Sequence, residues 1–136
     1  MSIVDVLIVA AISVQASSTA QAIEWERIWD QPDSATIYVD RASIAGSGDL
    51  RSIATRTVYR GDLPEGYIAE RIRTEEFDCK RHLSRIRHVE ILAADGRAPE
   101  VINWAPGDSE WKLDRPDSLG GTKIEIACGL SADELK

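Results

Sequence analysis

Two cysteines, two histidines and a run of arginines are the residues of this 136-residue chain whose types and spacing could do chemistry. Cys79 and Cys128 form neither a C-x-x-C pair nor, with His82 and His88, a zinc set of known spacing. In an exported chain an even pair reads as a disulfide. On the chain-entropy account, closing a loop of about 50 residues stabilises a fold by roughly 4 kcal/mol. The alternative is a reactive thiol. Glu75, Glu76 and Asp78 disfavour a thiolate at Cys79, while Lys80 and Arg81 favour one; a structural bridge is the expectation. His82 and His88 lie six residues apart and would share one side of a regular strand, where Glu90 could join them around a metal. The plainer reading, adopted here, makes them surface residues of a polar strand. No Ser or Cys motif points to acyl transfer, and no two carboxylates are marked as an acid/base pair. The sequence therefore predicts no catalytic residue, no cofactor and no metal ligand.

The arginines concentrate in the middle of the chain. Residues 51–88 hold nine Lys/Arg against six acids, whereas the chain as a whole has a net charge of −7. If that third formed one side of a sheet, Arg71, Arg73, Arg85 and Arg87 would make a candidate face for anionic partners. The competing expectation is a solvated face laced with ion pairs, since Glu70, Glu75, Glu76 and Asp78 lie among the same arginines. The overall acidity argues against nucleic acid, whose phosphates call for a basic surface.

Compartment follows from the N-terminus. Residues 3–14 are apolar apart from Asp5 and Ser13, too short for a span of about 20 residues. They lead to Ala20-Gln21-Ala22, a small-x-small pattern suited to signal peptidase. The n-region lacks Lys and Arg, so an N-terminal element of the fold and a misplaced start codon are the alternatives. Residues 1–22 are read as a signal peptide, 23–130 as one domain and 131–136 as a C-terminal tail. No second long apolar run follows, so no membrane span is expected after cleavage. No cysteine near the cut suggests a lipid anchor. A domain of this size buries roughly two thirds of its unfolded surface, enough for one modest core.

The elements that must position these groups read as strands. Glu24–Trp29 alternates, a turn falls at Gln31-Pro32-Asp33-Ser34, and Thr36–Val39 is β-branched and extended. Ala45–Asp49 is a second turn; its Gly-x-Gly lacks the third glycine and the helix of a nucleotide loop. Leu50–Arg60 places Ile53, Thr55, Thr57 and Tyr59 on one face. After a loop at 61–66, Tyr67–Cys79 places Ile68 and Ile72 opposite Arg71, Arg73, Phe77 and Cys79. His82–Ala93 continues less cleanly, Asp95-Gly96 is a strong turn, and Glu100–Trp104 can pair back. The pattern predicts an antiparallel meander of about five to six strands. At the C-terminus the signals conflict: Thr122, Ile124, Ile126 and Cys128 alternate as in a strand. Yet Pro116-Asp117-Ser118 looks like a helix start, which would place Ile124, Ala127 and Cys128 on one helical face. Gly120 and Gly121 count against the helix. The four tryptophans, Trp25, Trp29, Trp104 and Trp111, read as core or sheet-edge packing, or as a binding patch if clustered and exposed.

Several of these pieces occur in an order that resembles the surface-adhesin protein E family, small exported domains of Gram-negative bacteria. They are Trp25 with Ile28; Tyr38-Val39-Asp40 followed by Ser43-Ile44; Glu76-Phe77-Asp78-Cys79 with Arg81 and Arg85; Trp111 with Pro116-Asp117-Ser118; and Ala127-Cys128. The resemblance covers nearly the whole domain. It implies an α+β fold, an antiparallel sheet with a C-terminal helix tied to it by Cys79–Cys128. It also implies that Asp40 or Ser43 closes the turn after the second strand. It further implies a binding role towards host matrix or serum proteins and a capacity to pair as a homodimer.

The sequence thus predicts a non-catalytic binding domain of the bacterial envelope with a protein partner, placed in the periplasm or on the outer surface. The alternative function is a small periplasmic inhibitor or accessory protein of an envelope enzyme. A metal-dependent hydrolase built on His82 and His88 ranks last.

Overall fold

A computed structural model describes residues 22–61, 67–130 and 134 of the chain. The signal-peptide reading, most of the 61–66 loop and nearly all of the C-terminal tail lie outside the described residues.

The alternating runs become an antiparallel meander: β1 (Glu26–Gln31), β2 (Ala35–Ala45), β3 (Leu50–Tyr59), β4 (Ile68–Asp78), β5 (Leu83–Ala93) and β6 (Glu100–Asn103), hydrogen-bonded in chain order. A two-residue β7 (Lys112–Leu113) brings the sheet to seven strands, pairing with Leu83 and Ser84 of β5 beyond the reach of β6. So short a strand leaves no periodicity to read.

The C-terminal segment is a helix, α1 (Leu119–Cys128), as the resemblance implied and against the strand-like alternation. Ser118 caps it, its Oγ accepting from the Gly121 N–H at 3.1 Å. Gly129, with φ +66°, ends it in the left-handed conformation, as glycine allows without steric cost. The two glycines that argued against a helix are needed by its packing. A Cβ on Gly121 would lie 2.2 Å from the Arg115 carbonyl oxygen, and one on Gly120 only 2.1 Å from Asp114 Oδ1.

The helix lies against β2, β3 and β4. Val39, Ile53, Phe77 and Ile124 are each 0% exposed and form the core with Ala127. Phe77 is the largest of these side chains, and burying a residue of this size is worth about 3 kcal/mol. Cys79, just past β4, bonds to Cys128, the last residue of α1, with their Cα atoms 5.7 Å apart. The predicted disulfide therefore ties the sheet to the end of the helix.

The register shifts at four places, between Arg27 and Trp29, Asp40 and Ala45, Ile68 and Glu70, and Thr74 and Glu75, and two of these bear on residues singled out above. Asp40 and Ser43 do not close a turn after β2; they sit inside it, where its register on β3 shifts between Asp40 and Ala45. The Ala42 N–H donates to Asp40 Oδ1 at 3.0 Å, and Ser43 Oγ accepts from the Ala54 N–H at 2.7 Å. The side chains thus satisfy backbone groups that the bulge takes out of the ladder. A second shift, opposite Thr74 and Glu75 of β4, falls in β5 between Ile86 and His88.

Candidate functional site

The period of two divides the sheet into a face under α1 and an open face. Register places Ile53, Thr55 and Thr57 of β3 beside Glu75, Arg73 and Arg71 of β4 on the helix side. Arg85 pairs with Glu76 and so belongs to the open face. The structure therefore does not gather Arg71, Arg73, Arg85 and Arg87 on one side. Arg71 donates to the Tyr59 hydroxyl at 3.2 Å, its guanidinium 5.7 Å from that ring's centroid. Arg85 is held between Glu76, at 2.5 Å, and the Trp111 ring, whose centroid is 4.3 Å away. Arg87 occupies the irregular stretch of β5; its carbonyl accepts from the Trp104 N–H at 2.9 Å, and its Nη1 is buried without a hydrogen-bond partner. Arg73 Nη1 lies 3.8 Å from Glu75, and its Nε is likewise buried and unpartnered.

The expected lacing of charges is extensive: Arg56 with Glu70, Arg60 with Asp30, and Arg81 with Asp78 join the pairs above. At the surface, the Arg41 guanidinium hydrogen-bonds Glu26 and lowers its carboxyl below the usual range. Asp30 is lowered chiefly by the Thr36 hydroxyl, and Asp95 by the backbone N–H of Arg97.

The histidines do not share a strand face. His82 lies in the turn before β5 with φ +56°, and only His88 is in the strand, its Nδ1 2.6 Å from Asn103 Oδ1. Among the described residues no three His, Cys, Asp or Glu side chains come together as a metal site. The tryptophans stand at the sheet's two borders, Trp29 in β1 and Trp104 and Trp111 either side of the 105–110 segment, and none is buried.

Sequence reasoning missed a polar cluster under the helix. Lys123 of α1, 7% exposed, meets Glu75 of β4, 9% exposed, at 3.0 Å. The signal was present: in a helix Lys123 falls one turn before Ala127, on the side that the core claims. Asp114, between β7 and α1, is half-buried, and desolvation raises its carboxyl above the ordinary range. A hydrogen bond from Ser84 opposes that rise, the Glu75 charge adds to it, and Lys123 and Lys112 oppose it.

Beside this cluster the outer edge of β5 changes partner from β6 to β7, and the chain between them arcs away. The gap is a cleft of about 430 Å³ lined by Arg73, Glu75, Ser84, Trp104, Ser109 and Lys112, among others. Asp108 and Glu110 also border it.

Fold and site together define a small disulfide-latched domain, one helix on an antiparallel sheet. Residues 25–129 match the family model described as surface-adhesin protein E, and the chain belongs to that family. Searches of curated proteins and of solved structures return no significant match. Membership implies an exported, adhesin-like protein. Among the described residues no helix is long and apolar enough to cross a membrane.

Proposed function

We propose that this protein is a non-catalytic binding domain of the bacterial cell envelope that recognises a host matrix or serum protein. The observation that carries the reading is the family match over residues 25–129. The surface carries paired charges: Arg41 and Glu26 are half-exposed, while Arg56–Glu70 and Arg85–Glu76 keep a third or less of their side-chain surface in water, and attraction between exposed charges is screened by salt. Of the four arginines, Arg71 and Arg73 on the helix side are the contact candidates, since Arg85 on the open face is engaged by Glu76 and Trp111. Signal cleavage after Ala22 and pairing as a homodimer belong to the same proposal.

Protease shaving of intact cells, followed with an antibody to the domain and a periplasmic control, tests it. Loss of signal while the control survives is the expected result, with salt-sensitive capture of matrix protein by the same cells. Full protection and release on osmotic shock would overturn surface display and make the periplasmic inhibitor or accessory role the better account.

A further inference from the structure

We propose that the cleft on the outer edge of β5 is a recognition site for a carboxylate presented by an extended peptide segment, with Arg73 as the anchoring residue. The inference rests on the binding reading above and names the chemistry that one site would take.

Four observations carry it. First, the sheet edge is open over a short stretch: β6 pairs with β5 at His88–Ile91, the Trp104 N–H takes the Arg87 carbonyl and β7 pairs at Leu83–Ser84, leaving Arg85 and Ile86 on a cleft of about 430 Å³. Second, the cleft is lined by two side chains whose donors are excluded from solvent and have no hydrogen-bond partner among the described residues, Arg73 Nε and Ser109 Oγ. Leaving such a group unpaired costs about 1–3 kcal/mol, so two in one cleft favour an incoming acceptor. Third, Arg73 is only loosely paired, although the lining as a whole balances Arg73, Arg85 and Lys112 against Glu75, Asp108 and Glu110. Glu75 is bonded to Lys123 at 3.0 Å and lies 3.8 Å from Arg73. Arg85 is occupied by Glu76, whereas Lys112 makes no ion pair within 4.0 Å among the described residues. A planar guanidinium with free donors suits a carboxylate better than a point charge does. Fourth, Trp104 and Ile86 give the same cleft apolar surface, while Asp108 and Glu110 add negative charge to its lining. Those acids disfavour a highly charged polyanion and favour a single carboxylate on a peptide whose neighbours are apolar or basic.

The test uses the purified exported protein and two probes, N-acetyl-leucine and N-acetyl-leucinamide, identical except for the carboxylate. In two-dimensional NMR titrations the acid should shift the Trp104 indole and the Ser109 and Ile86 amides, with the amide probe at least about tenfold weaker, as loss of a charge-assisted hydrogen bond requires. Arg73→Gln should weaken the acid by about tenfold or more and Ser109→Ala by several-fold. Ser109 lies in the connecting segment, so its variant decides the matter should Arg73→Gln disturb the fold. Equal binding of the two probes, shifts elsewhere on the sheet, or no saturable shift would overturn the site. Surface capture of matrix protein that persists in a folded Ser109→Ala, Arg73→Lys double variant would overturn the cleft while leaving the broader binding role intact.

Discussion

The two ends of this sheet are built for different work. Over β2, β3 and β4 the strands turn apolar residues to a helix, a disulfide fixes the helix end, and the core side chains are sealed from water. At the outer edge of β5 the strands shorten to four residues and two, tryptophans stand half-exposed, and polar groups lie buried without partners. Stability gathers where apolar area is removed from water and chain entropy is restricted. Among the described residues, unpartnered buried polar groups on Arg87, Ser109 and Asp114 lie at or near the other end, and those on Thr55 and Arg73 lie under the helix and at its border. The fold's strength centres on the strands under the helix and its capacity for recognition on the β5 edge, and β4 serves both, through Phe77 in the core and Arg73 in the cleft.

The largest effects should fall on the first region. Phe77→Ala removes the biggest sealed side chain and should cost about 3–5 kcal/mol, read as a large drop in Tm or in the urea midpoint. Removing the Cys79–Cys128 bridge, whose residues are 49 apart, should cost about 4 kcal/mol on the entropic account, checked by comparing oxidised protein with a Cys79→Ala, Cys128→Ala variant. Lys123→Met strands the Glu75 carboxylate under the helix and should cost about 2–3 kcal/mol. That is below the figure for a fully enclosed pair, because Arg73 stays nearby. Adding Glu75→Leu should restore most of the loss, and a double-mutant cycle would measure the coupling.

Smaller effects belong to the border and the edge. Asp114 is raised in the folded state, so the native protein holds its proton more tightly than the unfolded chain does. Its contribution to stability is therefore fullest below the ordinary Asp value and is lost as pH rises through the raised one. Tm of the native protein should fall across that window relative to Asp114→Asn, whose profile lacks the step. Glu26, Asp30 and Asp95 are shifted the other way and act oppositely, but they are common to both proteins and cancel in the difference. Last, Asp108→Asn and Glu110→Gln should leave Tm nearly unchanged, within about 0.5 kcal/mol, as exposed substitutions do. A collapse on either change would mean that the edge also supports the fold.

Much of the first region could be read in the sequence because its physics is periodic. Ile53, Thr55, Thr57 and Tyr59 alternate over β3, Arg71 to Phe77 do so over β4, and both assignments agree with the register. The cysteine pair was legible from count and compartment. The helix was not legible from period, since Thr122, Ile124, Ile126 and Cys128 alternate by coincidence. Gly120 and Gly121 misled because their value lies in contacts with Asp114 and Arg115, residues outside the helix. The arginine face failed on the register between strands, which the period within one strand does not report. Glu76 pairs with Arg85 and lies three residues from Arg73, so Arg85 falls on the face opposite Arg71 and Arg73, and the β5 irregularity displaces only Arg87. The cleft was invisible, because it exists only where two strands share the edge of a third.

Hydrogen exchange on the whole native protein tests the division between the two regions most directly. The account predicts that buried amides of β2, β3, β4 and α1 exchange only with global unfolding, while those of β6, β7 and residues 104–111 exchange far faster by local opening. Uniform protection across all of these segments would contradict it.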